Sequence, residues 1–123
     1  MIPILRLNNT LLASIQLDLD DESALKFQTD VLARANQDGV EGIIIDITAM
    51  DVVDSFMARV LNDTATMVRL LGVQTVICGM QPAVALTLVE MGRELVDVHC
   101  ALNLDAAMDA LPRLISQARG LHG

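Results

Sequence analysis

The stretch that most limits what this chain can become runs from Gly42 to Gly72, GIIIDITAMDVVDSFMARVLNDTATMVRLLG. Ile43-Ile44-Ile45-Asp46-Ile47 is a nearly continuous β-branched run, the pattern of a strand buried on both faces. Thr48 to Asp54 form a short acidic elbow. Ser55 then opens a helix whose inward positions, Met57, Val60, Leu61, Thr64, Met67, Val68 and Leu71, recur at helical spacing. Gly72 ends it. A hydroxyl is thereby placed where a strand hands over to a helix, next to free backbone N–H groups and to Asp51 and Asp54.

The flanking sequence repeats the alternation of strand and helix. Ile2 to Leu7 and Leu11 to Leu17, separated by Asn8-Asn9, read as an antiparallel hairpin. Asp18 to Glu22 break the pattern, and Asp20 or Asp21 caps a helix over Ser23 to Gln37. Its inner stripe is Leu25, Gln28, Val31, Leu32 and Ala35, and Asp38-Gly39 ends it. Val73 to Cys78 is a second buried strand. Gly79-Met80-Gln81-Pro82 is a turn, with Pro82 suited to a first helical turn. The helix Ala83 to Met91 is apolar almost all round, so part of its surface reads as an interface; Pro82, Val84, Leu86 and Val89 are the assembly candidates. Gly92 ends that helix. His99 to Leu104 is a last strand. Asp105 caps a terminal helix with Met108, Leu111, Leu114, Ile115 and Ala118 inward, and Pro112 marks a kink or a late start. The tail from Gly120 to Gly123 is expected to fray. The order ββαβαβαβα gives an α/β fold, a mixed sheet with a parallel centre flanked by about four helices. All 123 residues read as one domain.

Composition narrows the function. Apolar residues make up 53% of the chain, with two Phe and no Trp or Tyr, so the core is aliphatic. The shortage of aromatics argues against base-stacking surfaces for single-stranded nucleic acid. Sixteen acidic residues against eight basic give a net charge of −8, which repels nucleic acid and anionic membranes and favours a basic protein partner. Cys78 and Cys100 form no metal or disulfide framework. No signal-peptide layout or apolar run of roughly twenty residues is present, so a cytoplasmic location with reduced thiols is expected.

Ser55 has two compatible readings. Its oxygen is a helix N-cap, or it is a phosphate acceptor at a helix terminus that favours anions, opposed by Asp51 and Asp54. A nucleophile is disfavoured: Val53-Asp54-Ser55-Phe56-Met57 lacks the G-x-S-x-G elbow, and neither His99 nor His122 is tied to it as a base. Asp46, Asp51 and Asp54 read as a solvated acidic turn rather than a Mg²⁺ site, and Asp18, Asp20 and Asp21 as cap and turn residues. The Gly79 turn lacks the glycine spacing and lysine of a P-loop. Cys78 reads as a small core residue, and His99-Cys100 is too little for a metal. No enzyme activity, metal or cofactor is expected.

The strand IIIDIT, the acidic elbow and Asp54-Ser55 at the helix start resemble the STAS family, the anti-sigma-factor-antagonist fold. The resemblance covers the whole chain and is closest to the RsbS-like, STAS-only scaffolds of the bacterial stressosome. It is carried by IPIL, LLASIQ, DDESALKFQ, VVDSFMARVL and GMQPAVALTLVEMG. It implies a mixed sheet flanked by helices, and assembly with RsbR-type co-antagonists into a large particle. It also implies capture of an RsbT-type serine/threonine kinase, release of that kinase when the scaffold is phosphorylated, and resetting by an RsbX-type phosphatase. Ser55 matches the phosphorylated serine of that motif, and Asp54 its preceding acid; Asp51, Asp54 and Phe56 flank the site as partner-binding candidates. A second acceptor found in related stressosome domains falls on Cys78, so a second phosphosite is not expected. Two alternatives remain: a simple anti-sigma-factor antagonist acting on an anti-sigma kinase as a monomer or dimer, and a small-ligand binder or enzyme using the elbow and the Gly79 turn.

Overall fold

Five strands line up in chain order in a computed structural model that describes residues 2–90, 92 and 98–120: β1 (Ile4–Leu7), β2 (Thr10–Ser14), β3 (Gly42–Asp46), β4 (Gln74–Cys78) and β5 (His99–Ala101). β1 and β2 pair antiparallel, Leu5 opposite Leu12, around a turn in which Asn8 takes φ 57°. Every other pairing is parallel, with Ile44 flanked by Leu12 and Val76. The expected mixed sheet with a parallel centre is the one observed.

The helices are α1 (Asp21–Ala35), α2 (Ser55–Leu70), α3 (Pro82–Glu90) and α4 (Leu104–Gly120). From β2 to β5 the sheet advances one place at each crossover. Crossovers of one hand then lay their helices on a single face. Accordingly Ile43, Ile45, Ile47 and Ile77 pack with Phe27 and Val31 of α1, Leu61 and Val68 of α2, and Val84 and Leu88 of α3. Ile44, Val76 and Cys78 point the other way, onto Ala107, Leu111 and Ile115 of α4. Strand β3 is covered on both sides, which is why its side chains need no polar alternation.

Several expected details shift. In α1 the buried stripe is Ala24, Phe27, Val31 and Ala35, and Leu25 is 49% exposed. The helix is turned by one position because the bulky Phe27 takes the central place and Gln28 Nε2 reaches Thr64 Oγ1 of α2 at 3.1 Å. Strand β2 stops at Ser14, leaving Leu17 in the connection to α1 and 74% exposed. In α2, Met67 and Leu71 lie outside the buried stripe. Strand β5 stops at Ala101 because Asn103, not Asp105, caps α4, its Oδ1 accepting from Ala106 N at 2.9 Å. Met108 is 43% exposed; Ala107 and Ala110 take the inward places beside Leu111 and Ile115. Pro112 lies inside α4 without delaying its start. Its side is exposed, so the carbonyl deprived of a partner one turn earlier can be hydrated. Met91 and residues 121–123 of the expected frayed tail, His122 among them, lie outside the described residues.

Candidate functional site

The C-terminal ends of parallel strands are where α/β sheets place their working loops, since each connection there leads into a helix N-terminus with unpaired N–H groups. Three such loops meet at the end of β3: residues 15–20 from β2 to α1, the elbow 47–54 from β3 to α2, and 79–81 from β4 to α3. The elbow is seated from below by Met50 and Val53, which are 1% and 2% exposed. The same residues turn Asp51, Val52 and Asp54 outward.

The cap of α2 is Asp54, a correction to the reading of Ser55 in that role. Asp54 Oδ1 accepts from Met57 N at 2.8 Å, and the helix begins at Ser55. A carboxylate is the stronger acceptor and sits one residue earlier, where the backbone is still extended, as a cap requires. The consequence for Ser55 is large. Its hydroxyl is half-buried at the first helical position and has no hydrogen-bond partner among the described residues. The first amides of the helix remain beside it.

The charge around this hydroxyl is negative. Asp51 and Asp54 are exposed, and neither is ion-paired among the described residues, where Lys26–Asp30 and Arg119–Glu41 form the salt bridges. Apolar side chains rim the charge: Val52 is 62% exposed, and Phe56 is half-buried beside Ser55. Of the assembly candidates, Leu86 and Val89 are 60% and 65% exposed on α3, and Pro82 is exposed at its start. Val84 is 2% exposed and packs with Leu88 into the core, so its place among the interface candidates is corrected: it faces the sheet.

The Gly79 turn does not offer an empty cradle. Gly79 takes φ 79°, and a Cβ there would lie 2.0 Å from Thr48 Oγ1, so the glycine exists to admit Thr48. Thr48 is folded back on its own strand, its Oγ1 donating to Asp46 Oδ1 at 2.6 Å and its N at 2.9 Å. Asp46 Oδ1 is thus engaged by Thr48. No cluster of three or more His, Cys, Asp or Glu side chains able to hold a metal gathers among the described residues. Burial, with the charge of Asp46 second, pushes the Cys78 thiol up to about 11, so the group at the match to a second phosphosite is a protonated core thiol.

Asp18 and Gln81 escaped the sequence reading as parts of this site. Asp18 Oδ1 accepts from Asp51 N at 3.2 Å and Val52 N at 3.3 Å. Gln81 Nε2 donates to Thr48 O at 2.9 Å and to Asp51 Oδ1 at 3.1 Å. Both lie some thirty residues from the elbow in sequence, and only the parallel register of β2, β3 and β4 brings their loops together.

A five-stranded mixed sheet with this elbow defines a class. The STAS domain profile matches residues 2–107, and the chain belongs to the STAS-domain family. Within it, a serine-to-glutamate variant of RsbS from Moorella thermoacetica is 37% identical and superposes with a TM-score of 0.80, covering 92% of this chain and 96% of that one. A chain of the stressosome, described as a signal integration and transduction hub, is 38% identical, with a TM-score of 0.71 over 91% of this chain and 97% of its own. The RsbT co-antagonist protein RsbRB of Bacillus subtilis is 27% identical over 108 residues, 87% of this chain. The chain spans 39% of the length of that curated relative. No helix among the described residues is long and apolar enough to cross a membrane.

Proposed function

We propose that this chain is a non-catalytic scaffold of the stressosome type. It holds an RsbT-type serine/threonine kinase while Ser55 is unmodified and releases it once Ser55 is phosphorylated. An RsbX-type phosphatase restores the first state, and RsbR-type STAS co-antagonists share the assembly. The observation that carries this reading is the free hydroxyl of Ser55. Asp54 performs the capping, which leaves Ser55 Oγ uncommitted at the helix N-terminus. Covalent change there costs the fold little, while about two added negative charges fall beside Asp51 and Asp54. The result alters what the surface attracts without remaking the core. The likeness to RsbS across nearly the full length of both chains supports the same reading.

The test is phosphorylation by an RsbT-type kinase with ATP, with the phosphate mapped by mass spectrometry. Phosphate is expected on Ser55, and Ser55→Ala is expected to take none while still retaining the kinase. Phosphorylation of Ser55→Ala to the level of the unaltered chain overturns the assignment. Exposed Leu86 and Val89 leave an apolar face of α3 open to a partner, which supports an assembling protein over a monomeric anti-sigma-factor antagonist.

A further inference from the structure

How Ser55, the first residue of α2, is presented to another protein depends on the shape of the elbow before it. Residues 47–54 belong to no helix or strand, and such a segment is mobile unless something holds it. Met50 and Val53 fix it underneath. Its upper part is held at two flanks by side chains from other loops. On the β2 side a single oxygen, Asp18 Oδ1, gathers the amides of Asp51 and Val52. On the β4 side, the Gln81 amide spans Thr48 O and Asp51 Oδ1. These choices suit the charge. Asp18 adds a third carboxylate to an acidic surface, and that is offset by the two N–H groups it accepts. Gln81 supplies a neutral donor to Asp51, where a carboxylate would repel it.

We propose that Asp18 and Gln81 are positioning residues for phosphorylation of Ser55, holding the elbow so that the hydroxyl meets the kinase's nucleotide in line. This rests on the reading of Ser55 as the acceptor. In that step Ser55 Oγ bonds to the γ-phosphorus of ATP and the bond to the β–γ bridging oxygen breaks. ADP leaves with the electron pair, and the hydroxyl proton passes to a base of the kinase. Such transfer depends chiefly on alignment, so a loosened acceptor loses rate even where binding survives.

The experiment measures kcat and KM for the scaffold as substrate of the RsbT-type kinase, together with hydrogen exchange at the elbow. In Asp18→Ala the amides of Asp51 and Val52 are expected to exchange about ten-fold faster. Asp18→Ala and Gln81→Leu are each expected to lower kcat about ten-fold with KM within about two-fold. Asp18→Asn keeps a carbonyl acceptor and is expected to restore most of both properties, which a role of the Asp18 charge would not allow. Both residues lie at the surface, so melting temperatures are expected to stay within about 3 °C. Unchanged exchange in Asp18→Ala overturns the proposal, as does faster exchange with unchanged kcat, or a loss confined to KM, which would make these residues kinase contacts. Absence of phosphate on Ser55 in the unaltered chain is a different failure: it removes the acceptor reading, and this inference with it, whatever the exchange rates show.

Discussion

A helix start needs an acceptor, and a hydroxyl proposed to take phosphate needs freedom; Asp54 and Ser55 separate those demands onto neighbouring residues. Asp54 satisfies Met57 N, so Ser55 can change its chemistry without uncapping α2. Asp and Ser are both preferred residue types at a helix cap, so the reading of Ser55 as the cap is an error that only the backbone torsions and the bond from Met57 N correct. Gly79 is a second place where one residue carries a requirement. Its positive φ and the closeness of Thr48 Oγ1 leave no space for a methyl group. Gly79→Ala is expected to cost about 2 to 4 kcal/mol, measured by urea denaturation. Cys78 gives a pH prediction. Its folded-state thiol is raised from 9.0 to about 11, chiefly by burial. Above the ordinary thiol range the unfolded chain ionises first, so the stability this group contributes is complete below pH 9.0 and is lost as pH rises toward about 11. The chain has no tyrosine and a single lysine, but burial also raises the Cys100 thiol, so the part due to Cys78 is read by difference from a Cys78→Ala variant. Denaturation at about pH 8 and about pH 10.5 is expected to show a smaller loss of stability for Cys78→Ala than for the unaltered chain.

Among the elements, β3 and α2 were the most legible. An unbroken isoleucine run and a helical apolar stripe are local patterns, and both elements appear where those patterns lie. α1 was legible as a helix but not in its rotation. Leu25 and Phe27 compete for the core, and the choice depends on α2, against which α1 packs. α3 shows what an all-round apolar helix means when only one side is covered: Val84 and Leu88 face the sheet, whereas Leu86 and Val89 face outward. Leu86→Asp and Val89→Asp are therefore expected to change stability by less than about 0.5 kcal/mol while weakening assembly with RsbR-type partners. Val84→Asp, which buries an unpaired charge, is expected to unfold the chain. Circular dichroism and size-exclusion chromatography separate the two outcomes.

At the scale of the molecule, one face of the sheet carries three helices and the other one, and the proposed site sits at the end where the crossover loops converge. A scaffold with this layout is expected to give a scattering mass many times that of one chain when mixed with an RsbR-type co-antagonist. A persistent monomer in that mixture would favour the simpler antagonist. Ser55→Asp is expected to weaken kinase retention in the same particle, though less than phosphate does, because it adds one charge where phosphate adds about two.

The amino-acid order alone determined the succession of strands and helices, the double-sided burial of β3 and the position of Ser55 at the mouth of α2. These follow from periodicity and turn chemistry, which act between residues close in the chain. The tertiary structure decided which residue caps α2, which side of α1 and α3 turns inward, and that Asp18 and Gln81 reach the elbow. Each of those outcomes depends on a partner some distance along the chain or on a backbone torsion set by packing, and no local pattern records either.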